Sequence, residues 1–233
     1  MTNGTPNKRQ TMFVRCALLS LLFCVCQPLS ASAESDFETV ALKGRYFLIV
    51  WAYQGPDDDL VHAHTFTSFY RGSDLSRGIV RPATISWLPA SRAVQPFGAE
   101  RGHNYSLDQT LRMACQSGRR VKAWGPYEIR SELFQRAMRR MQLLESGNIG
   151  YSMINDLPKA MNCISASGDI TPTPLQTGIL WGEAASAEVV RHLSPYFIGD
   201  ESVTLKSLIA MSTKTCPGQT GQVVINVDGN SVP

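Results

Sequence analysis

Apolar side chains crowd the stretch Arg45–Tyr53 (RYFLIVWAY), where β-branched and aromatic residues follow one another without polar relief. That density predicts a buried strand. The polar turn Gln54-Gly55-Pro56-Asp57-Asp58-Asp59 closes it. Leu60–Tyr70 then alternates and predicts a second strand, antiparallel to the first as a hairpin. Its period of two puts His62, His64, Phe66 and Ser68 on one face, and Val61, Ala63, Thr65 and Phe69 on the other. After a loop from Gly72 to Pro82, Ala83–Leu88 (ATISWL) predicts a third strand ended by Pro89.

The pattern next changes to a helical one. Ser106 with Gln109 three residues on forms a capping box that opens a helix through Cys115, with Gly118 as its stop. Val121–Trp124 predicts a short strand. Gly125-Pro126 is then expected to start the longest helix, with Pro at its first position and Glu128 beside the dipole. Ile129, Leu133, Ala137, Met141 and Leu144 give that helix one apolar stripe, and Gly147 its C-terminal cap. A short helix is expected over Asn162–Gly168, after Pro158, and another over Glu183–Leu193. The Gly/Val-rich tail from Pro217 has room for a late strand. Strands come first and helices after, which predicts an α+β fold with an antiparallel sheet and packed helices.

The first 33 residues read as addressing rather than fold. Lys8, Arg9 and Arg15 precede the apolar run Cys16–Cys26, and Ala31-Ser32-Ala33 offers a small-x-small cleavage site. A secretory signal peptide is therefore expected over 1–33, a single domain over 34–216, and a tail over 217–233. The mature protein would be exported, periplasmic or extracellular, with no membrane span after cleavage. Three of the 22 Lys and Arg residues lie in this leader, leaving 19 against 19 Asp and Glu. The mature chain is formally neutral, which argues against a nucleic-acid partner. Three of the six cysteines also leave, so Cys115, Cys163 and Cys216 remain. An odd count in an oxidising compartment leaves one thiol over. Should Cys115 and Cys216 pair, that thiol is Cys163; two other pairings are open.

The chemistry centres on Asn162-Cys163-Ile164 and Val61-His62-Ala63-His64-Thr65-Phe66. Asn162 is a good N-cap, so Cys163 would sit where backbone amides and the helix dipole favour a thiolate. The same amides would serve part of an oxyanion hole. Against this stands the commoner role of such a cysteine, a small buried hydrophobe or half a disulfide. His64, on a strand, is placed as a general base should be, with His62 as partner or competitor; either could instead complete a core. The His-x-His pair lacks a third and fourth ligand at zinc spacing, so no metal or other cofactor is expected. Trp124 could shape a cleft at the head of the long helix, although a simple strand–helix connection accounts for it. Arg136, Arg139 and Arg140 read as a solvated helix face. Ser86 lacks a Gly-x-Ser-x-Gly context for a serine nucleophile.

The order of a histidine strand, a further strand, helices and then Asn-Cys at a helix start resembles the circularly permuted papain-like proteins of the NlpC type, which include relatives of lecithin–retinol acyltransferase. The matching stretches are His62-Ala63-His64-Thr65-Phe66 and Tyr151 through Asn162-Cys163-Ile164, within Tyr46–Asp169. The resemblance implies a permuted papain-like fold with Cys163 as nucleophile and His64 as base. It points to Thr84 or Ser86, on the next strand, as the third, orienting group. Neither is the His, Asp or Glu such a position favours. The implied activity is a cysteine-dependent hydrolase or acyltransferase acting on an amide or ester, in a small cell-wall peptide, a protein or an acyl lipid. The alternative from another class is a non-catalytic envelope domain that keeps the fold and binds a partner or serves structure.

Overall fold

The computed structural model describes residues 42–55, 57, 63–77, 79, 81–154, 157–177, 180–199 and 223–225. The expected leader over 1–33, His62, Cys216 and all of the tail except 223–225 lie outside the described residues. The protein is an α+β structure. Strands β1 (Tyr46–Gln54) and β2 (His64–Arg71) run antiparallel with Tyr53 opposite His64. β3 (Ala83–Ile85) pairs antiparallel with β2, and β4 (Trp87–Pro89) pairs with β5 (Glu100–Asn104). β6 (Arg120–Ile129) flanks β1 on its other side. The short strands β7 (Gly150–Tyr151) and β8 (Ala160–Met161) extend the sheet of β4 and β5, while β9 (Phe197–Gly199) and β10 (Val223–Ile225) pair with β6. Two of these contacts are parallel, β10 with β6 and β7 with β8. Helices α1 (Gly72–Leu75), α2 (Leu107–Gln116), α3 (Ser131–Glu145), α4 (Cys163–Gly168) and α5 (Gly182–Leu193) are interleaved with strands rather than following them.

Both faces of the main sheet are buried, which is why β1 reads as an unbroken apolar run. Leu48 and Val50 face a cluster with Phe69, Leu133, Phe134, Ile164, Val189 and Leu193, which brings α3, α4 and α5 onto one face. Phe47, Ile49 and Trp51 face the opposite cluster with Phe66, Tyr70, Leu75, Leu107 and Leu111 from α1 and α2. Each such side chain removed from water contributes about 1.5–3 kcal/mol. Cross-strand aromatic pairs add to β1 and β2: Trp51 stacks on Phe66 at 5.9 Å, and Tyr53 meets His64 at 5.0 Å.

Two sequence expectations are corrected here. The strand expected at Val121–Trp124 runs from Arg120 to Ile129, straight through Gly125-Pro126, and the long helix starts only at Ser131. Pairing with β1 shows how. Val50 lies opposite Trp124 but Leu48 opposite Tyr127, so the Gly-Pro pair is taken up as a bulge. A bulge is where a strand tolerates proline, which has no N–H to give the ladder. Gly125 has φ +105°, and a Cβ there would come within 2.8 Å of the Leu48 carbonyl oxygen. Ile129 thus ends a strand, and Phe134 joins Leu133, Ala137 and Leu144 as the buried face of α3.

The expected third strand, Ala83–Leu88, divides at Ser86 into β3 and β4, which belong to different sheets. Ser86 makes neither ladder. Its amide donates to Asn104 Oδ1 at 2.8 Å and its carbonyl accepts the Tyr105 amide at 2.9 Å. Asn104 Nδ2 returns to the Thr84 carbonyl at 2.9 Å, so one side chain splints the bend. Trp87 then lies flat over Gly102, where a Cβ would stand 1.9 Å from its Cζ2. No helix among the described residues is long and apolar enough to cross a membrane.

Candidate active site

Asn162 caps α4 as its type predicts, with Oδ1 accepting the Ser165 amide at 2.9 Å. Its Nδ2 donates to the Met153 carbonyl at 3.3 Å, which anchors the chain entering the helix. Cys163 opens α4 and is buried, and it is a free thiol; Cys115 is in a disulfide whose partner lies outside the described residues. α4 packs against β2. The β2–β3 ladder ends at Thr67, and farther along β2 the Thr65 amide reaches the Cys163 sulfur. Thr65 is itself held by α5, where Ser186 Oγ lies 2.9 Å from its hydroxyl and 3.1 Å from the Trp51 carbonyl. The thiol therefore sits against the residue that follows His64.

His64 is fully buried, stacked on Phe66 with centroids 5.3 Å apart. Its Nε2 lies 2.9 Å from Ser86 Oγ, which lies 2.7 Å from Thr110 Oγ1; that hydroxyl is 2.9 Å from the Ser106 carbonyl. The Thr110 hydroxyl has one proton for two acceptors, the Ser106 carbonyl and Ser86 Oγ. Where it goes to the carbonyl, Ser86 donates to Thr110 and accepts Nε2–H of His64, and Nδ1 is a lone pair; where it goes to Ser86, the Ser86 proton reaches Nε2 and Nδ1 carries the hydrogen. In both arrangements Nδ1 is buried and without a hydrogen-bond partner. A buried nitrogen of this kind calls for an explanation, and a waiting base is one. Of the two orienting candidates, Ser86 is the one that meets the imidazole; Thr84 Oγ1 is buried and unpaired.

Electrostatics separate the two groups. Burial, opposed by the amides of Thr65, Cys163 and Ile164, pushes the Cys163 thiol up to about 11. The helix start was expected to favour a thiolate; burial outweighs the amides of a six-residue helix. Burial, assisted by the Arg119 charge, lowers His64 to about 3. Both groups are neutral at pH 7, and no hydrogen bond joins Nδ1 to the sulfur. Catalytic contacts that are loose at rest commonly tighten with substrate. Two phenols attend the thiol. Tyr53 and Tyr151 are both raised well above the usual tyrosine range, by burial first and by the neighbouring Cys163 among lesser causes.

Tyr151, on β7, thus belongs to the corner. Trp124 does not: it lies on β6, beyond β1 from β2, with Lys122 Nζ 5.1 Å from its ring. Being in mid-strand, it heads no helix. His62 lies outside the described residues. Arg140 is no solvated cation, since it reaches the Asp169 carbonyl and, at 3.4 Å, the Met161 sulfur. Three residues at the corner carried no sequence signal of their own. Tyr53 follows only from the hairpin register, Thr110 from the i+4 step after Ser106, and Arg119 from nothing local. Arg119 places its guanidinium 4.8 Å from the Tyr53 ring. Beside Tyr53 opens a cavity of about 440 Å³, bounded also by Ala63, Leu88, Val94, Met113, Arg92 and Arg119. Comparison with known proteins returns no matching family model, no matching curated protein and no matching solved structure.

Proposed function

We propose that the chain is an exported, cysteine-dependent hydrolase or acyltransferase of permuted papain-like fold, acting on an amide or ester of a cell-wall peptide, a protein or a lipid acyl group. The observation that supports this reading is the hydroxyl relay, which holds His64 Nε2 at Ser86 and leaves Nδ1 without a partner, one residue along β2 from Thr65, whose amide reaches the free Cys163 thiol. In the proposed step Nδ1 takes the thiol proton as the sulfur attacks the carbonyl carbon. The proton is handed to the departing amine or alcohol as the carbon–heteroatom bond breaks, leaving an S-acyl group. Water or another acceptor then attacks the thioester and frees the sulfur. Ser86 acts as a positioning residue that holds the ring.

The test is mechanism-based labelling with acyl donors of both classes, an activated ester and a peptide amide, followed by mass measurement of the intact protein. An acyl adduct on Cys163 that is lost in His64→Ala supports the reading. Labelling equal in both proteins, or none with either donor, would sink it. A second reading, a non-catalytic envelope domain, is favoured by one specific observation: the thiol and the imidazole are each held neutral. That reading expects no acyl adduct and no loss of partner binding in Cys163→Ala.

A further inference from the structure

We infer that the cavity beside Tyr53 is an anion subsite, built to seat a carboxylate or phosphate group of the substrate next to the reacting thiol. The inference rests on the catalytic reading of Cys163 for the word substrate, but the cavity itself is argued independently. Its volume, about 440 Å³, lies within the range of small-molecule pockets. Its wall is apolar along Leu88, Val94 and Met113, and its charged members among the described residues are two guanidinium groups, Arg92 and Arg119, with no carboxylate among those residues. Glu100, on neighbouring β5, is turned instead to Ser91 Oγ at 2.7 Å.

Neither cation has an acidic partner among the described residues. Arg119 rests over the Tyr53 ring at 4.8 Å, and its Nε is buried with no hydrogen-bond acceptor. A buried guanidinium N–H without an acceptor is costly, and an oxyanion taken up in the fork would satisfy it bidentately. Arg92 rests over the Tyr105 ring at 5.6 Å and lines the same cavity. Tyr53 is the wall shared with the reacting corner, since it feels both Arg119 and Cys163. An anion bound there would also offset the Arg119 charge that bears on His64, so that filling the subsite would ease protonation of the base. Substrate binding and activation of the dyad would be coupled through one side chain.

The experiment uses the full chain and reads the Nε–H signal of Arg119 by nitrogen-resolved NMR. Glutarate and glycerol 3-phosphate are titrated separately, with glutaramide as the uncharged control. A saturable shift with one anion and none with the diamide is expected, and the anion that binds tighter names the source chemistry. Arg92→Gln, which alters an exposed residue, should weaken that binding by about tenfold. No saturable shift with either anion, or an equal one with glutaramide, overturns the subsite. Labelling of Cys163 by iodoacetate and iodoacetamide supplies a second readout. Their rate ratio should fall by about tenfold in Arg119→Gln and be retained in Arg119→Lys. If neither reagent labels Cys163 while Arg119 still titrates, catalysis falls and the subsite stands. If both label at a ratio unchanged by Arg92→Gln and Arg119 stays still, the subsite falls and catalysis stands.

Discussion

His64 is tied at one nitrogen into hydroxyls from two other elements, Ser86 between β3 and β4 and Thr110 on α2, whereas Cys163 is held by main-chain amides alone. The contrast shows in what each half resists. Side-chain hydroxyls fix the orientation of a ring, so the imidazole is held in place. Amides stabilise charge on sulfur but leave the thiol free to rotate, and in this corner burial outweighs them. One half of the site is thus prepared in geometry, the other only in part and in electrostatics. On the proposed catalytic reading, activation has to come from whatever brings the proton from sulfur to Nδ1.

The sharpest way to break this comparison is to remove the thiol. Cys163→Ala should lower ester or amide turnover by about 10³-fold or more, while leaving the thermal midpoint nearly unchanged, as enzyme assay and calorimetry would show. Activity retained in the variant would leave the ordered imidazole without a chemical purpose.

Next in size is the pH dependence of stability. His64 is lowered from 6.5 to about 3 on folding, so the unfolded chain binds more protons between those values. Stability present above pH 6.5 should fall by about 1.4 kcal/mol per unit as the pH drops toward 3. Cys163 is raised from 9.0 to about 11, so stability should also decline as pH rises from 9 toward 11. Denaturant midpoints measured across pH would show both limbs. His64→Asn should flatten the acid limb alone, and Cys163→Ala the alkaline one.

Smaller still is the relay. Ser86→Ala leaves His64 Nε2 without its hydroxyl partner in a dry site, and should cost about 1–3 kcal/mol. Combining it with Thr110→Val should cost less than the sum of the two, because both act on one chain of protons. Chemical denaturation of the four proteins reads that coupling. The smallest effect belongs to the thiol's own anchor: Asn162→Ala should cost about 1 kcal/mol by removing the cap of α4, measured the same way.

Much of the fold was legible in the sequence because local chemistry dictated it. The hairpin of β1 and β2, the capping box at Ser106 and the Asn162 cap each follow from a few adjacent residues, and each is found. Gly125-Pro126 misled because that pair opens helices and also fills bulges, and only the opposing strand decides between them. The division at Ser86 was hidden for a similar reason: ATISWL is uniform strand former, and the bend is imposed by Asn104 from another strand. At the site, Cys163, His64 and Ser86 were named, and Ser86 now stands beside the imidazole. That burial holds both groups neutral is not legible in the sequence, and the Arg119 effect on His64 depends on which loop ends beside Tyr53.

The bend at Ser86 carries one more consequence. A single residue there ends one ladder, begins another and touches the imidazole, so the number of residues between Ile85 and Trp87 sets three distances at once. A one-residue insertion would invert the facing of every side chain beyond it, turning Trp87 off Gly102 and carrying the hydroxyl away from His64. Loops elsewhere on the surface can lengthen or shorten with little penalty. This junction is more sensitive to a change of length than to a change of side chain.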